Sequence, residues 1–262
     1  MHPSNFPQAT ILAHRGTSIM APENTLPAFE FARACQADTL EMDVRLTRDR
    51  VLLVTHDETV DRTTNGSGSV AGQSASELQK LDAGYRFLRD GDHPFRGGDV
   101  RLLTIAEVLS RFPAQGINVD IKDNSIDAVD VLAREILQVG AEQRVVVASF
   151  HHQVLSYCRA RYPQLATSAC SADVKKFLWQ ILTRTHVTGN IPVSLFQLPC
   201  RYWILSFKSR WFIDAVHDAG GQIHFWTINN RQRMQQLLDA GADGIVTDRP
   251  DIAARLLGRD VP

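Results

Sequence analysis

Charge of one sign is what this sequence has least of: 28 Lys and Arg stand against 29 Asp and Glu, a formal net charge of -1 over 262 residues. No basic surplus exists to neutralise a phosphate backbone, which argues against nucleic acid as a partner. Long apolar runs are also missing, and none reaches the roughly 18 residues of a membrane span. Met1 to Thr10 has neither a cationic stretch nor an apolar one, so no signal peptide is expected and the expected location is cytoplasmic. Cysteine is scarce: Cys35, Cys158, Cys170 and Cys200 form no C-x-x-C pair and read as reduced core residues rather than as a disulfide or metal framework. No G-x-G-x-x-G follows the first strand-like run, which sets aside the dinucleotide-binding sheet.

What is present is an ordinary apolar fraction, 44%, arranged in a repeating pattern. Eight short apolar runs recur with helical segments between them: 10–13, 39–44, 117–121, 145–150, 165–170, 193–197, 222–228 and 244–247. Runs such as Val145-Val146-Val147-Ala148 are apolar on successive residues, as parallel strands covered on both faces require. The segments between carry helical period and punctuation, for example Met234, Leu237 and Leu238 followed by Gly241, or Asn24 or Thr25 as the cap before Pro27. Eight strand–helix units predict an α/β fold, a (β/α)8 TIM barrel formed by the whole chain, 1–262. Residues 58–101 break the rhythm with turn signals and one short helical pattern near 76–81. They predict an insertion after the second strand, emerging lid-like on the C-terminal face where sites of this fold are built.

Titratable residues gather at the ends of the apolar strands. The first strand ends in His14-Arg15-Gly16, and the loop beyond it runs Pro22-Glu23-Asn24-Thr25 into a helix. The second carries Glu41 and Asp43, two residues apart and therefore on one face, about 7 Å along the strand. Two carboxylates facing into a barrel mouth repel unless a cation or a proton relieves them, and hard divalent ions prefer such oxygen ligands. The run 51–54 ends in Thr55-His56-Asp57, where the acid can orient the imidazole. Strict alternation in 117–122 places Asn118, Asp120 and Lys122 together, opposite Ile117, Val119 and Ile121. Three polar side chains pointing into a barrel are costly unless they serve a site. The inventory of three carboxylates, two histidines, an arginine and a lysine suits metal-assisted hydrolysis of a phosphoester.

These motifs together resemble the glycerophosphodiester phosphodiesterase family. The matching segments are His14-Arg15-Gly16, Pro22-Glu23-Asn24-Thr25, Glu41-x-Asp43, His56-Asp57, Asp61-Arg62-Thr63-Thr64-Asn65-Gly66, Asn118-x-Asp120-x-Lys122, Trp226-Thr227-x-Asn229 and Asp243-Gly244-Ile245-Val246-Thr247-Asp248. They run in order from residue 14 to 250. The resemblance implies a (β/α)8 barrel with one divalent ion, Mg²⁺ or Ca²⁺, that cleaves small-molecule glycerophosphodiesters such as glycerophosphocholine to glycerol 3-phosphate and an alcohol. It implies His14 and His56 as the acid–base pair and Arg15 and Lys122 as phosphate contacts. Glu41, Asp43 and Asp120 become metal ligands, Asn24 an organiser behind them with Asp57, and Trp226 a pocket wall. The family usually has Glu where this chain has Asp120, shorter by one methylene.

Two other readings share the pattern: a lysophospholipase D or sphingomyelinase D-like enzyme on a lipid, and a silent barrel that only binds a phosphorylated ligand. The segment 175–212 is rich in aromatics and cations. Trp211, Phe212, Ala215 and Val216 follow helical spacing and are expected to bury against the barrel, so membrane contact is not expected. His151 and His152 are expected to begin a helix, and His93, His186, His217 and His224 read as structural.

Overall fold

A computed structural model describes residues 10–183, 193–202 and 205–261, so Trp203 and His186 lie outside the described residues. The elements in chain order are β1 (Thr10–Ala13), α1 (Leu26–Ala34), β2 (Thr39–Leu46), β3 (Leu52–Val54), α2 (Ala75–Leu78), α3 (Ile105–Arg111), β4 (Gly116–Ile121), α4 (Ile126–Gln138) and β5 (Val145–Ala148). There follow α5 (His152–Arg161), β6 (Ala166–Thr167), α6 (Ser171–Leu182), β7 (Leu195–Pro199), β8 (Arg201–Tyr202), β9 (Leu205–Ser206), α7 (Arg210–Asp218), β10 (Gln222–Trp226), α8 (Arg231–Asp239), β11 (Gly244–Thr247) and α9 (Pro250–Leu256).

Eight of these strands run parallel in the order β6-β5-β4-β2-β1-β11-β10-β7, and β3 pairs antiparallel with β2. The seam between β6 and β7 is drawn together by one parallel bridge, Ser168 to Leu195, with Ala169 N donating to Leu195 O at 2.8 Å. The result is a (β/α)8 barrel. Alternation explains its two interiors. Ile11 and Ala13, Leu40, Met42 and Val44, and Ile117, Val119 and Ile121 face outward into the main apolar cluster beneath the helices. The helices meet them with stripes at helical spacing, such as Val129, Leu132, Ala133 and Ile136 of α4, all buried.

The alternate positions face the barrel axis. Near the N-terminal end the axis is plugged by His224 of β10, which is fully buried. Its imidazole fits because the neighbouring strand carries glycine: a Cβ on Gly244 would stand 2.8 Å from His224 Cδ2 and 3.0 Å from Thr10 O. Above it Gln197 Nε2 donates to Asn118 Oδ1 at 2.9 Å, tying β7 to β4 across the barrel. The C-terminal ends of the axis are left to charged side chains.

Several local expectations differ from the structure. The insertion follows β3, the antiparallel partner of β2, rather than a barrel strand directly. Its helix spans only Ala75–Leu78, closed by a capping box between Ser74 and Glu77. Val60, Val70, Leu78, Ala83, Val100 and Leu102 give the segment a small apolar cluster of its own with Leu53. Thr25 occupies the N-cap of α1 without capping it, because its hydroxyl donates to Pro22 O. In α7 Phe212 and Val216 bury while Trp211 stays 54% exposed, since it lies on the outer flank of the same helix. The four cysteines are free, and Cys200 is only half-buried. No described helix is long and apolar enough to cross a membrane.

Candidate active site

A cavity of ≈ 610 Å³ opens at the C-terminal end of the barrel and is lined by His14, Arg15, Glu41, Asp43, His56, Asn118, Asp120, Lys122 and Trp226 among others. Its floor follows from strand register. β2 and β4 pair so that Glu41 stands beside Asn118 and Asp43 beside Asp120, which puts two carboxylates side by side on neighbouring strands. Lys122 Nζ bridges them, 2.8 Å from Asp43 Oδ1 and 2.7 Å from Asp120 Oδ2. On its other side Asp43 meets Arg15 Nε at 3.1 Å and accepts from Asn24 Nδ2 at 3.0 Å. Asn24 also takes the Asp43 N–H on its own carbonyl oxygen, so one amide brackets the residue.

The loop after β1 is bent to make these contacts. Arg15 and Asn24 both have left-handed backbone, with φ of 52° and 58°, a conformation most L-residues avoid and one that clusters at functional sites. In that conformation the Arg15 N–H donates to Glu41 Oε2 at 2.8 Å. Gly16 beside it has φ of 80°, and a Cβ there would lie 2.7 Å from the Ala28 carbonyl carbon. The His-Arg-Gly turn therefore requires its glycine for both reasons.

Burial and Asp43 together push the Glu41 carboxyl up, well above the usual carboxylate range, against the pull of His14. Asp120 is pushed up by burial as well, although Lys122 opposes it, whereas in Asp43 the cations Lys122 and Arg15 overcome burial and hold the carboxyl low. Three buried acids thus face two cations. Among the described residues the buried Asp120 Oδ1 has no hydrogen-bond partner, and the Glu41 carboxylate accepts only the Arg15 backbone N–H. A buried carboxylate oxygen left without a donor is what a cation satisfies, so the donor set fits a hard divalent ion. Another group of ligand atoms mutually within 4.8 Å, His152, Cys170 and Asp173, stands at the far wall. There Asp173 is already gripped by both Arg159 nitrogens at 3.1 and 2.8 Å, and burial holds the Cys170 thiol up, so the charge is balanced without an ion.

Each candidate histidine has its own acid. His14 Nδ1 donates to Asp248 Oδ1 at 2.7 Å, and Asp248 is held in turn by the Ser18 hydroxyl at 2.8 Å and Asn229 Nδ2 at 2.7 Å. Burial alone lowers the His14 imidazole, yet the bond to Asp248 and the negative Glu41 lift it above its ordinary value. His56 Nδ1 donates to Asp57 Oδ1 at 2.7 Å, and its carbonyl accepts from Arg45 Nε at 2.8 Å. In both rings the orienting bond uses Nδ1, which leaves Nε2 outside it.

The opposite wall is of another kind. Val174 and Leu178 of α6, Leu198 and Pro199 of β7, and Tyr202, Leu205 and Phe207 around the β8–β9 hairpin line it. Phe150 stands at the lip, 62% exposed, edge-on to Trp226 at 6.2 Å and under Lys122 Nζ at 5.7 Å.

The structure therefore gathers His14, Arg15, Glu41, Asp43, His56, Asp120, Lys122 and Trp226 in one cavity, with Asn24 and Asp57 directly behind them. Sequence reasoning missed Asp248, Glu23, Arg62 and Phe150. The first three sit inside the quoted motifs, which was their only signal; Phe150 had none. His151 and His152 do open α5, and His93 and His217 bond to Phe87 O and Asp243.

Comparison with known proteins agrees with this fold. The model of the glycerophosphoryl diester phosphodiesterase family matches residues 14–252. The chain is 31% identical over 252 residues to a glycerophosphodiester phosphodiesterase of Caldanaerobacter subterraneus subsp. tengcongensis, covering 94% of this chain and 97% of that one. A crystal structure of a glycerophosphodiester phosphodiesterase from Agrobacterium tumefaciens superposes with a TM-score of 0.78 at 27% identity, over 94% of this chain and 99% of that one. A phosphodiesterase of Oleispira antarctica, solved with the product sn-glycerol-3-phosphate, shares the fold with a TM-score of 0.78 at 21% identity, over 96% and 97%.

Proposed function

The chain belongs to the glycerophosphoryl diester phosphodiesterase family, a family of enzymes, and from that premise we propose that it hydrolyses glycerophosphodiesters to glycerol 3-phosphate and an alcohol. The observation that carries this reading is the pair of imidazoles, each tethered at Nδ1 by an aspartate, beside three buried acids that two cations do not neutralise. Displacement at phosphorus needs a base for the attacking water and an acid for the leaving alkoxide, and two oriented histidines divide that work. His14, whose imidazole is lifted by Asp248 and Glu41, is suited to carry the proton given to the leaving oxygen. His56, beside Asp57 at the outer edge, is suited to take one from water.

Arg15 and Lys122 already lie against the acids, so an incoming phosphate meets two fixed cations rather than recruiting mobile ones. Glu41, Asp43 and Asp120 would hold a divalent ion, Mg²⁺ or Ca²⁺. When bound, that ion polarises a phosphoryl oxygen and offsets charge that develops on it. Asp120 is shorter than the glutamate usual at this place, which favours an ion that keeps water in its shell, as Mg²⁺ does. Trp226 and Phe150 form the lip against which the alcohol lies. A cytoplasmic location is part of this reading; no described helix is long and apolar enough to cross a membrane.

The apolar wall favours a second reading, in which the glycerol side of the substrate carries an acyl chain, as in a lysophospholipid, and the head-group alcohol leaves. One experiment separates these: release of the head-group alcohol from glycerophosphocholine, glycerophosphoethanolamine and lysophosphatidylcholine, in EDTA and with Mg²⁺, Ca²⁺ or Mn²⁺ restored singly, with glycerol 3-phosphate measured as the other product of the first two. Activity lost in EDTA and rescued by one cation is the expected result. Activity indifferent to EDTA would remove the carboxylate site, and turnover confined to lysophospholipids would select the second reading. Binding of diester without turnover under any cation would mean a silent barrel.

A further inference from the structure

His14 and His56 are restrained by different parts of the chain. The groups that hold Asp248 against His14, Ser18 and Asn229, come from loops at the ends of barrel strands β1 and β10. The backbone of His56 is held by the barrel too, through Arg45 of β2, which is itself tied to Asp123 at 2.8 Å. Its imidazole is not. The ring is held by Asp57, which is adjacent in sequence and half-exposed, and the second oxygen of Asp57 accepts from Arg62 Nε at 2.5 Å. The two terminal nitrogens of Arg62 reach a different carboxylate, Glu23, at 2.8 Å each, and Glu23 Oε1 also accepts from Arg15 Nη1 at 2.8 Å.

The contacts join into an alternating series of charges: Asp120, Lys122, Asp43, Arg15, Glu23, Arg62, Asp57, His56. Of these eight residues only Arg62 lies within 58–101. Arg62 belongs to the insertion, where Thr64 N and its hydroxyl both return to Val60 O and Gly68 N donates to Asp61, so its backbone sits in a turn built around buried Val60. Bonding two carboxylates through three nitrogens in one plane is a geometry that arginine has and lysine lacks.

We propose, on the reading of His56 given above, that Arg62 is a positioning residue that couples the His56 imidazole to the phosphate-facing Arg15. In this role it gives the 58–101 insertion a catalytic task. Arg62 touches no reacting atom. It orients Asp57, which orients the ring, and it fixes Glu23, which steadies Arg15. Arg15 keeps Glu23 and Asp43 when Arg62 is removed, whereas Asp57 loses the partner that pulls its carboxyl down to about 2. The loss should therefore fall on turnover rather than on substrate affinity.

The test compares wild type, Arg62→Ala and Arg62→Lys on glycerophosphocholine with the activating cation present. Arg62→Ala is expected to lose about tenfold to a hundredfold in kcat with KM changed less than about threefold, the scale of an orienting partner. Ethylguanidinium in solution is expected to restore a large part of it, and ethylammonium at equal ionic strength is not. Arg62→Lys, which keeps the charge and should fold even where the alanine variant does not, is expected to stay impaired. Full activity in Arg62→Lys, an unchanged kcat in Arg62→Ala, or a folded Arg62→Ala that guanidinium does not rescue would overturn the proposal. Wild type inactive on every diester would sink the functional reading instead. The coupling is then decided by the His56 Nδ1–H resonance, assigned by its loss in His56→Gln: it is expected to shift or broaden in Arg62→Ala, and an unchanged resonance overturns the proposal.

Discussion

The two sides of the barrel mouth are built from opposite chemistry. On the side of β1, β2 and β4, polar atoms are paired within hydrogen-bond distance in a continuous charge network, two residues adopt left-handed backbone, and the strands share long registers of up to six pairs. On the side of β6 and β7 the strands meet through one bridge, β6 is two residues long, and the wall is aliphatic and aromatic. The difference teaches where precision is needed. A phosphoryl group must meet fixed charges and oriented protons, and electrostatic catalysis tolerates little misplacement. An apolar substituent needs only a surface of compatible polarity, which side chains supply without a rigid frame.

The largest expected effect lies in the network. Asp120→Ala should abolish cation-dependent release of glycerol 3-phosphate; near wild-type kcat in that variant would show that Asp120 holds no ion. Next, Asp248→Asn keeps the shape beside His14 but removes the charge and should lower kcat about tenfold to a hundredfold. Its activity–pH profile should shift to lower pH, because the carboxylate that lifts the His14 imidazole is gone; an unmoved profile would detach Asp248 from the proton transfer. On the apolar side, Leu178→Asp should depress turnover of a lysophosphatidylcholine several-fold more than that of glycerophosphocholine, since each methylene kept from an apolar wall forfeits up to about 0.8 kcal/mol. Equal losses on both would deny that wall a role in holding an acyl chain.

A separate effect concerns stability rather than chemistry. Burial pulls the His224 imidazole down to about 4 from the usual 6.5. The fold therefore favours the neutral ring, so its contribution is complete above pH 6.5 and is lost as pH falls towards 4, by at most about 3 kcal/mol. The fall in Tm between pH 6.5 and 4.5 should be shallower in His224→Gln than in wild type. Parallel pH curves for the two proteins would place the acid sensitivity elsewhere.

Much of this was legible in the sequence because barrels obey short periods. Alternation in 117–122 marks Asn118, Asp120 and Lys122 as one face whatever surrounds them, and Glu41 and Asp43 share a face by the same rule. The eight apolar runs coincide with the eight parallel strands, though several strands are shorter than their runs, since the chain leaves the sheet where it turns over the barrel rim. Trp211 defied expectation because helical spacing locates a face only to within a flank. The insertion was legible as an interruption but not as a support for His56, because nothing local links Arg62 to Glu23.

Local periodicity and chain stereochemistry were enough to set the repeat of strand and helix, the face on which each acid and cation stands, and the two histidines at strand ends. Tertiary structure decided the partners. Asp248 reaches His14 across 234 residues only because the last strand closes on the first. Asp43 lies beside Asp120 only because β2 and β4 pair in one register. Such pairings depend on how the whole sheet closes, and a side chain carries no record of which distant neighbour closure will bring to it.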